Sequence, residues 1–249
     1  MKLLLYATVI AMCFCFGKCL SQTQKATAEV KPSANYTYAK PSPGGTGKFY
    51  FGREIAQVMG AAGAPWLERS ERQQEENTTL AIDKMNLSGS EVVADIGAGS
   101  GYYTFRMAAK VPRGKVYAVD IQDEMIKLLN ERKQKEKATN VIVVKGSDTS
   151  PNLPTHSIDL AIMVDVYHEL TYPHEVLESL RQALRDNGKL LLIEYRGEDP
   201  ELAIMPLHKT TVAQLSKELG ANGFLLLYQG EFMPIQHFLL YSKKDKTIH

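Results

Sequence analysis

The spacing of apolar and polar positions divides this chain into three regimes. Residues 3–16 form one apolar run with no charge and a single Thr. Residues 22–48 carry Pro, Gly, Ser, Thr and Lys without a hydrophobic period, the composition of a flexible linker with extended stretches. From residue 49 onward, short apolar runs alternate with segments of helical spacing. The apolar runs predict strands at 91–96, 115–119, 141–144, 158–164, 189–194, 224–228 and 236–241. Helical spacing predicts helices at 102–110, 123–135, 174–185 and 211–220. Two further amphipathic helices are expected at 53–59 and 68–84, broken near residues 60–65.

The strands are uniformly apolar, as strands covered on both faces should be. Strand–helix alternation implies an α/β fold, a doubly wound, mostly parallel seven-stranded sheet with right-handed crossovers and an N-terminal helical extension. Gly230 and Pro234 separate the last two strands, which are expected to pair antiparallel. The expected organisation is an export segment (1–21), a linker (22–48), a helical lid (49–88), a ligand-binding domain (89–242) and a tail (243–249).

Charge sharpens two of these regions. Glu68, Arg69, Glu71, Arg72, Glu75 and Glu76 crowd the helix expected at 68–84. They suit a solvated face with i,i+3 and i,i+4 pairs, or a lid with Arg53, Arg69 or Arg72 facing a ligand anion. At the start, Lys2 precedes the apolar run and Lys18 ends it. That run is short of the roughly 20 residues of a membrane span and fits a secretory signal. Cutting after Ser21 would place small residues at Cys19 and Ser21. A lipid anchor on Cys19 and an uncleaved N-terminal anchor are the rival readings. The protein is thus expected to be exported, periplasmic or secreted, touching a membrane only through this segment.

Composition adds exclusions. Hydrophobic residues make up 44% and charged residues 23% of 249, an ordinary globular balance that excludes a disordered or collagen-like chain. Without residues 1–21 the chain keeps 27 basic and 28 acidic side chains, a net of −1. No basic stripe suggests a nucleic-acid partner. All three cysteines, Cys13, Cys15 and Cys19, fall in the export segment, so the remainder has no disulfide, thiol nucleophile or Cys-based zinc site. A monomer is expected.

The candidate chemistry starts at VVADIGAGSGYYTF, residues 92–105, between a strand and a helix. Gly97, Gly99 and Gly101 allow close backbone approach to a ligand. Asp120 ends the next strand, where a carboxylate can accept hydrogen bonds from ribose hydroxyls; this suits a dinucleotide or an S-adenosyl ligand alike. The spacing is G-x-G-x-G, whereas a dinucleotide fingerprint is G-x-G-x-x-G. Asp95 stands two residues before the first glycine, where it can hold the loop or a ligand ammonium and would repel a pyrophosphate.

With these motifs, residues 91–199 resemble a class I S-adenosylmethionine-dependent methyltransferase with a Rossmann-like fold. AVD (118–120), KGSD (145–148), IDLAIMVDVYHEL (158–170) and LLLIEYR (190–196) are similar to that family's successive motifs. The flanks FYFGREIAQVMG, WLER and HK (208–209) look like an uncharacterised bacterial subgroup. The resemblance implies S-adenosylmethionine as cofactor, bound by Asp95, Gly97, Gly99, Gly101, Asp120, Ile121, Asp148 and Asp165, with Ile121 on the adenine. It also implies methyl transfer to an acceptor, most simply a small molecule.

Groups after the strands at 158–164 and 189–194 are best placed to take an acceptor's proton. These are His168, Tyr167 and Glu194, with His168 titrating nearest neutrality. His208 with Lys209 and Gln236 with His237 are polar pairs expected to be structural. Asp165 and Glu194 end adjacent strands, as do the metal-binding carboxylates of catechol-type methyltransferases. Glu194 is followed by Tyr195 where those enzymes continue with Asn, so no metal is expected. Two alternatives stay open: an exported, non-catalytic nucleoside-ligand-binding module, motivated by the cytosolic origin of the cofactor, and a nicotinamide-dependent oxidoreductase.

Overall fold

A computed structural model describes residues 36–244. The export segment, the linker up to residue 35 and the tail from residue 245 lie outside the described residues. Among the described residues, no helix is long and apolar enough to cross a membrane.

The first elements depart from expectation. The linker region contains β1 (Tyr36–Tyr38) and β2 (Gly45–Tyr50), which pair antiparallel, and β3 (Arg53–Ala56) replaces the helix expected at 53–59. The cause is local. Phe51 and Gly52 link β2 to β3 with φ of 49° and 93°. A two-residue loop with both φ positive closes a hairpin whose twist matches its strands. The usual signal is Asn-Gly or Asp-Gly; here Phe holds the first position and hides it. Tyr36, Tyr50 and Ile55 bury a small core under this sheet.

The helix expected at 68–84 is two short ones, α2 (Arg72–Glu76) and α3 (Thr78–Lys84), preceded by α1 (Ala64–Leu67) just after the expected break. Asn77 ends α2 in the left-handed region, φ 52°, a conformation Asn tolerates.

From there the fold follows the sequence. The elements are β4 (Val92–Ile96), α4 (Tyr102–Lys110), β5 (Lys115–Asp120), α5 (Asp123–Glu136), β6 (Val141–Lys145) and β7 (Ile158–Val164). After them come α6 (Pro173–Ala183), β8 (Leu184–Arg196), β9 (Lys209–Thr210), α7 (Val212–Ala221), β10 (Phe224–Gly230) and β11 (Gln236–Lys243). The strand order is β10-β11-β8-β7-β4-β5-β6, with short β9 beside the end of β8. β11 is antiparallel to both its neighbours, β8 and β10, while β4 to β8 run parallel.

Alternate residues of each strand feed two cores. Val93, Ile162, Leu191 and Phe238 pack with α3, α4 and α5, whereas Ala94, Ala161, Leu190 and Leu239 pack with α6 and α7. Helices on both faces make the sheet doubly wound, a Rossmann-like methyltransferase fold. The order reverses at β4, which has β5 on one side and β7 on the other. Ligands of such sheets bind at the carboxyl ends of the strands at that switch point.

Candidate active site

A cavity of about 410 Å³ opens at those strand ends. Its first wall is the glycine loop. Gly97 and Gly99 have φ of 69° and 54°, and a Cβ on either would stand 2.6 Å from Val166 or 2.7 Å from Leu67. Asp120, at the tip of β5, accepts the Gly99 N–H through Oδ2 and the Gln122 N–H through Oδ1, both at 2.9 Å. Burial raises its pKa. Ile121 and Asp148 complete this wall.

Two expected cofactor residues lie behind it and do not line the cavity. The Asp95 carboxylate is buried and accepts the Thr104 hydroxyl at 2.6 Å, so it anchors α4 under the loop. Burial pushes its pKa up to about 6. Gly101 precedes α4 with φ 82°, and Phe105 and Leu129 fill the space of its missing side chain.

The roof comes from α1 and α2. Trp66, Leu67, Arg69, Arg72 and Glu76 all face the cavity. The solvated-face reading is corrected here: Arg72 and Glu76 are buried. Glu76 Oε1 accepts from Arg69 at 2.6 Å and from the Tyr195 hydroxyl at 3.0 Å, and Oε2 accepts from Arg72 at 2.8 Å. Glu75 also pairs with Arg69 at 2.7 Å, so the two guanidiniums face two carboxylates within the wall. Arg53 pairs with buried Glu218 at 2.8 Å, outside the cavity.

The far wall gathers Asp165, His168, Glu169 and His208. Asp165 has a left-handed backbone, φ 54°, and accepts from Gln236 Nε2 at 2.9 and 2.7 Å. Burial, then the charges of Glu76 and Glu194, push its pKa well up. His168 Nδ1 is 2.6 Å from Glu194 Oε2, and its Nε2 is 3.0 Å from His208 Nδ1. Burial opposes charge on His168, but Glu194 outweighs it and the pKa rises. Burial and then His168 lower His208 to about 4, and burial raises Glu169 to about 7.

Tyr167 and Glu194, expected among the reacting groups, do not line the cavity. The Tyr167 hydroxyl donates to Glu218 at 2.8 Å inside the core. Fully buried Glu194 also accepts the N–H groups of Val166 and Tyr167, so it aims the 166–168 turn and the His168 ring. It reaches His168 rather than a shared site with Asp165, since strand pairing turns it toward the 166–168 backbone. His208, read as structural, is a lining residue, as are Glu169 and Glu76. His237, 2.8 Å from Glu198, does not line the cavity.

This Rossmann-like sheet, with an antiparallel strand next to its edge, has the fold of known methyltransferases. Residues 94–190 match the family model described as a methyltransferase domain. The described fold superposes on the crystal structure of a SAM-dependent methyltransferase from Aquifex aeolicus with a TM-score of 0.70 and 23% identity, over 74% of this chain and 98% of that one. Among curated proteins, the chain is 29% identical over 122 residues to an uncharacterised methyltransferase-like protein of Schizosaccharomyces pombe, covering 49% of this chain and 45% of that protein. It is 30% identical over 105 residues to a ubiquinone/menaquinone biosynthesis C-methyltransferase of Ectopseudomonas mendocina, covering 41% of each. The chain thus spans less than half the length of these curated relatives.

Proposed function

We propose that this protein transfers the methyl group of S-adenosylmethionine to a small-molecule acceptor. The observation that carries the reading is the charge of the cavity. Asp120 and Asp148 line it without a guanidinium partner, while its two guanidiniums, Arg69 and Arg72, are held by Glu75 and Glu76. Such a wall attracts a cationic sulfonium and ammonium and repels the pyrophosphate of a dinucleotide. That asymmetry speaks against the nicotinamide alternative.

The cavity size suits a cofactor and a small acceptor. Asp120 presents its carboxylate to ribose hydroxyls, held by the Gly99 and Gln122 amides. Ile121, 38% exposed, offers an apolar face to a base. The cofactor supplies an activated methyl, so the protein's task is alignment of the acceptor and removal of its proton. His168, Glu169 and His208 form the polar wall that receives the acceptor. Glu194 fixes the His168 ring so that Nε2 faces that wall.

The test is calorimetric titration of the purified chain with S-adenosylmethionine, followed by incubation with labelled cofactor and a small-molecule extract. The expected result is one bound cofactor and labelled product read by mass spectrometry. A folded chain that binds no cofactor would remove the proposal. Cofactor binding without methyl transfer would favour the non-catalytic binding module. Export is part of the same proposal, supported by Lys2 and the apolar run of residues 3–16. Cell fractionation tests it, and recovery of the whole chain in the cytosol would overturn it.

A further inference from the structure

We propose that His168, Glu169 and His208 form a binding site for a divalent first-row transition-metal ion in the wall of the cavity. Their facing atoms make a triangle. His168 Nε2 is 3.0 Å from His208 Nδ1, His208 Nδ1 is 3.6 Å from Glu169 Oε1, and His168 Nε2 is 3.9 Å from the same oxygen. A triangle with such edges encloses a point about 2 Å from every corner, the length of a metal bond to imidazole nitrogen or carboxylate oxygen. Among the described residues, this is the one group of three or more His, Cys, Asp or Glu side chains close enough to share an ion.

The outer contacts fit the same role. Glu194 sits 2.6 Å from His168 Nδ1, a carboxylate–histidine pair that holds the proton on Nδ1 and leaves the Nε2 lone pair facing the triangle. Glu169 Oε1 accepts the Met59 N–H at 3.1 Å, which aims that carboxylate. His208 is carried on the 3₁₀ turn Pro206–His208, its N–H bonded to the Met205 carbonyl at 2.9 Å. Three ligands on one side of a cavity leave coordination positions open toward it. Two imidazoles and one carboxylate suit zinc, iron(II), cobalt or manganese better than magnesium or calcium, which prefer all-oxygen shells. Binding the ion requires an ionised Glu169 carboxylate and departure of the proton between His168 Nε2 and His208 Nδ1; on His208 it moves to Nε2 or to water.

An ion there would bind an acceptor's oxygen or nitrogen and lower its pKa, removing the need for a strong protein base. The site itself stands independently of the methyl-transfer reading, because it can be measured without cofactor. Chelator-treated protein is titrated with cobalt(II) and followed by its d–d absorption, with zinc as competitor and metal content counted after dialysis. One equivalent should bind, with the spectrum of a nitrogen–oxygen shell. His208→Ala and Glu169→Gln should each abolish it. Glu194→Gln should weaken it by about 10- to 100-fold, the loss typical of an outer-shell partner. Circular dichroism and cofactor titration of each variant separate ligand loss from unfolding. X-ray absorption of the wild-type cobalt complex should show two imidazoles, a readout that needs no variant. Absence of stoichiometric binding by folded wild-type protein, or binding that survives in folded His208→Ala and Glu169→Gln, would overturn the site. Metal binding without cofactor binding would instead count against the methyl-transfer reading alone.

Discussion

At the glycine-loop end of the cavity, Asp120 holds backbone; at the histidine end and the roof, side chains from distant parts of the chain hold one another. Asp120 takes its hydrogen bonds from the amides of Gly99 and Gln122, 21 and 2 residues away. Glu76 instead binds Tyr195 across 119 residues, and His168 meets Glu194 across 26 and His208 across 40. The first construction depends on local backbone shape and a few glycines. The second depends on strands and helices arriving from distant parts of the chain, so its charges are buried only when the whole fold is in place. One end should therefore fail by strain and the other by stranded charge.

The largest effect should come from Glu76→Ala. It leaves the buried Arg72 guanidinium without its carboxylate and Arg69 with only the more exposed Glu75. Breaking such a pair costs about 3–5 kcal/mol, to be read by chemical denaturation. A cost near that of an exposed ion pair, about 0–1 kcal/mol, would show that the roof relaxes into water and that the contrast is false.

Next is Asp95→Asn, at the other end. The folded pKa of Asp95 is raised to about 6 from 3.8 by burial. A raised carboxylate pKa contributes stability that is fully present below the unfolded value and lost as pH rises through the folded one. Above about pH 6 the ionised group should cost up to ~3 kcal/mol. Asn keeps an acceptor for Thr104 and never ionises. It should stabilise the protein near neutral pH and change little near about pH 4, as thermal unfolding across pH would show. An equal effect at both ends of that range would remove burial of charge as the cause.

The smallest effect on stability should be that of Gly97→Ala, about 1–2 kcal/mol for a left-handed residue. Its Cβ would stand 2.6 Å from Val166 Cγ2, so the cavity wall must shift. Cofactor affinity should fall about tenfold or more, while cobalt(II) binding at the histidines stays within about twofold, since a tenfold change needs only 1.4 kcal/mol. Loss of both together would mean that the two ends act as one unit.

The same contrast explains what could be read from residues alone. Gly97 and Gly99 were legible because a strand-to-helix turn with positive φ demands glycine. Asp120 was legible because it ends a strand of known register. Asp95 was expected at the cofactor, yet its side chain lies under the loop against Thr104, a matter of which face of β4 it occupies. The hairpin at Phe51–Gly52 escaped because Phe is an unusual residue for that turn. His208 was read as structural because nothing in the segment 203–210 says that it folds back against the 167–169 turn. Tyr167 was misplaced for the converse reason: it neighbours His168 in the chain, but the short turn sends its ring into the core toward Glu218.

The sequence by itself determined the two-sided parallel sheet, its antiparallel β11 and the glycine-rich turn after β4. These rest on hydrophobic period and backbone sterics, which act over a few residues. Only the tertiary structure decided which arginines are spent on Glu76, that Glu194 supports a histidine, and that His168, Glu169 and His208 converge. Those pairings follow from the order β8-β7-β4, which sets the ends of chain-distant strands side by side, and from burial, which makes each stranded charge costly enough to find its partner.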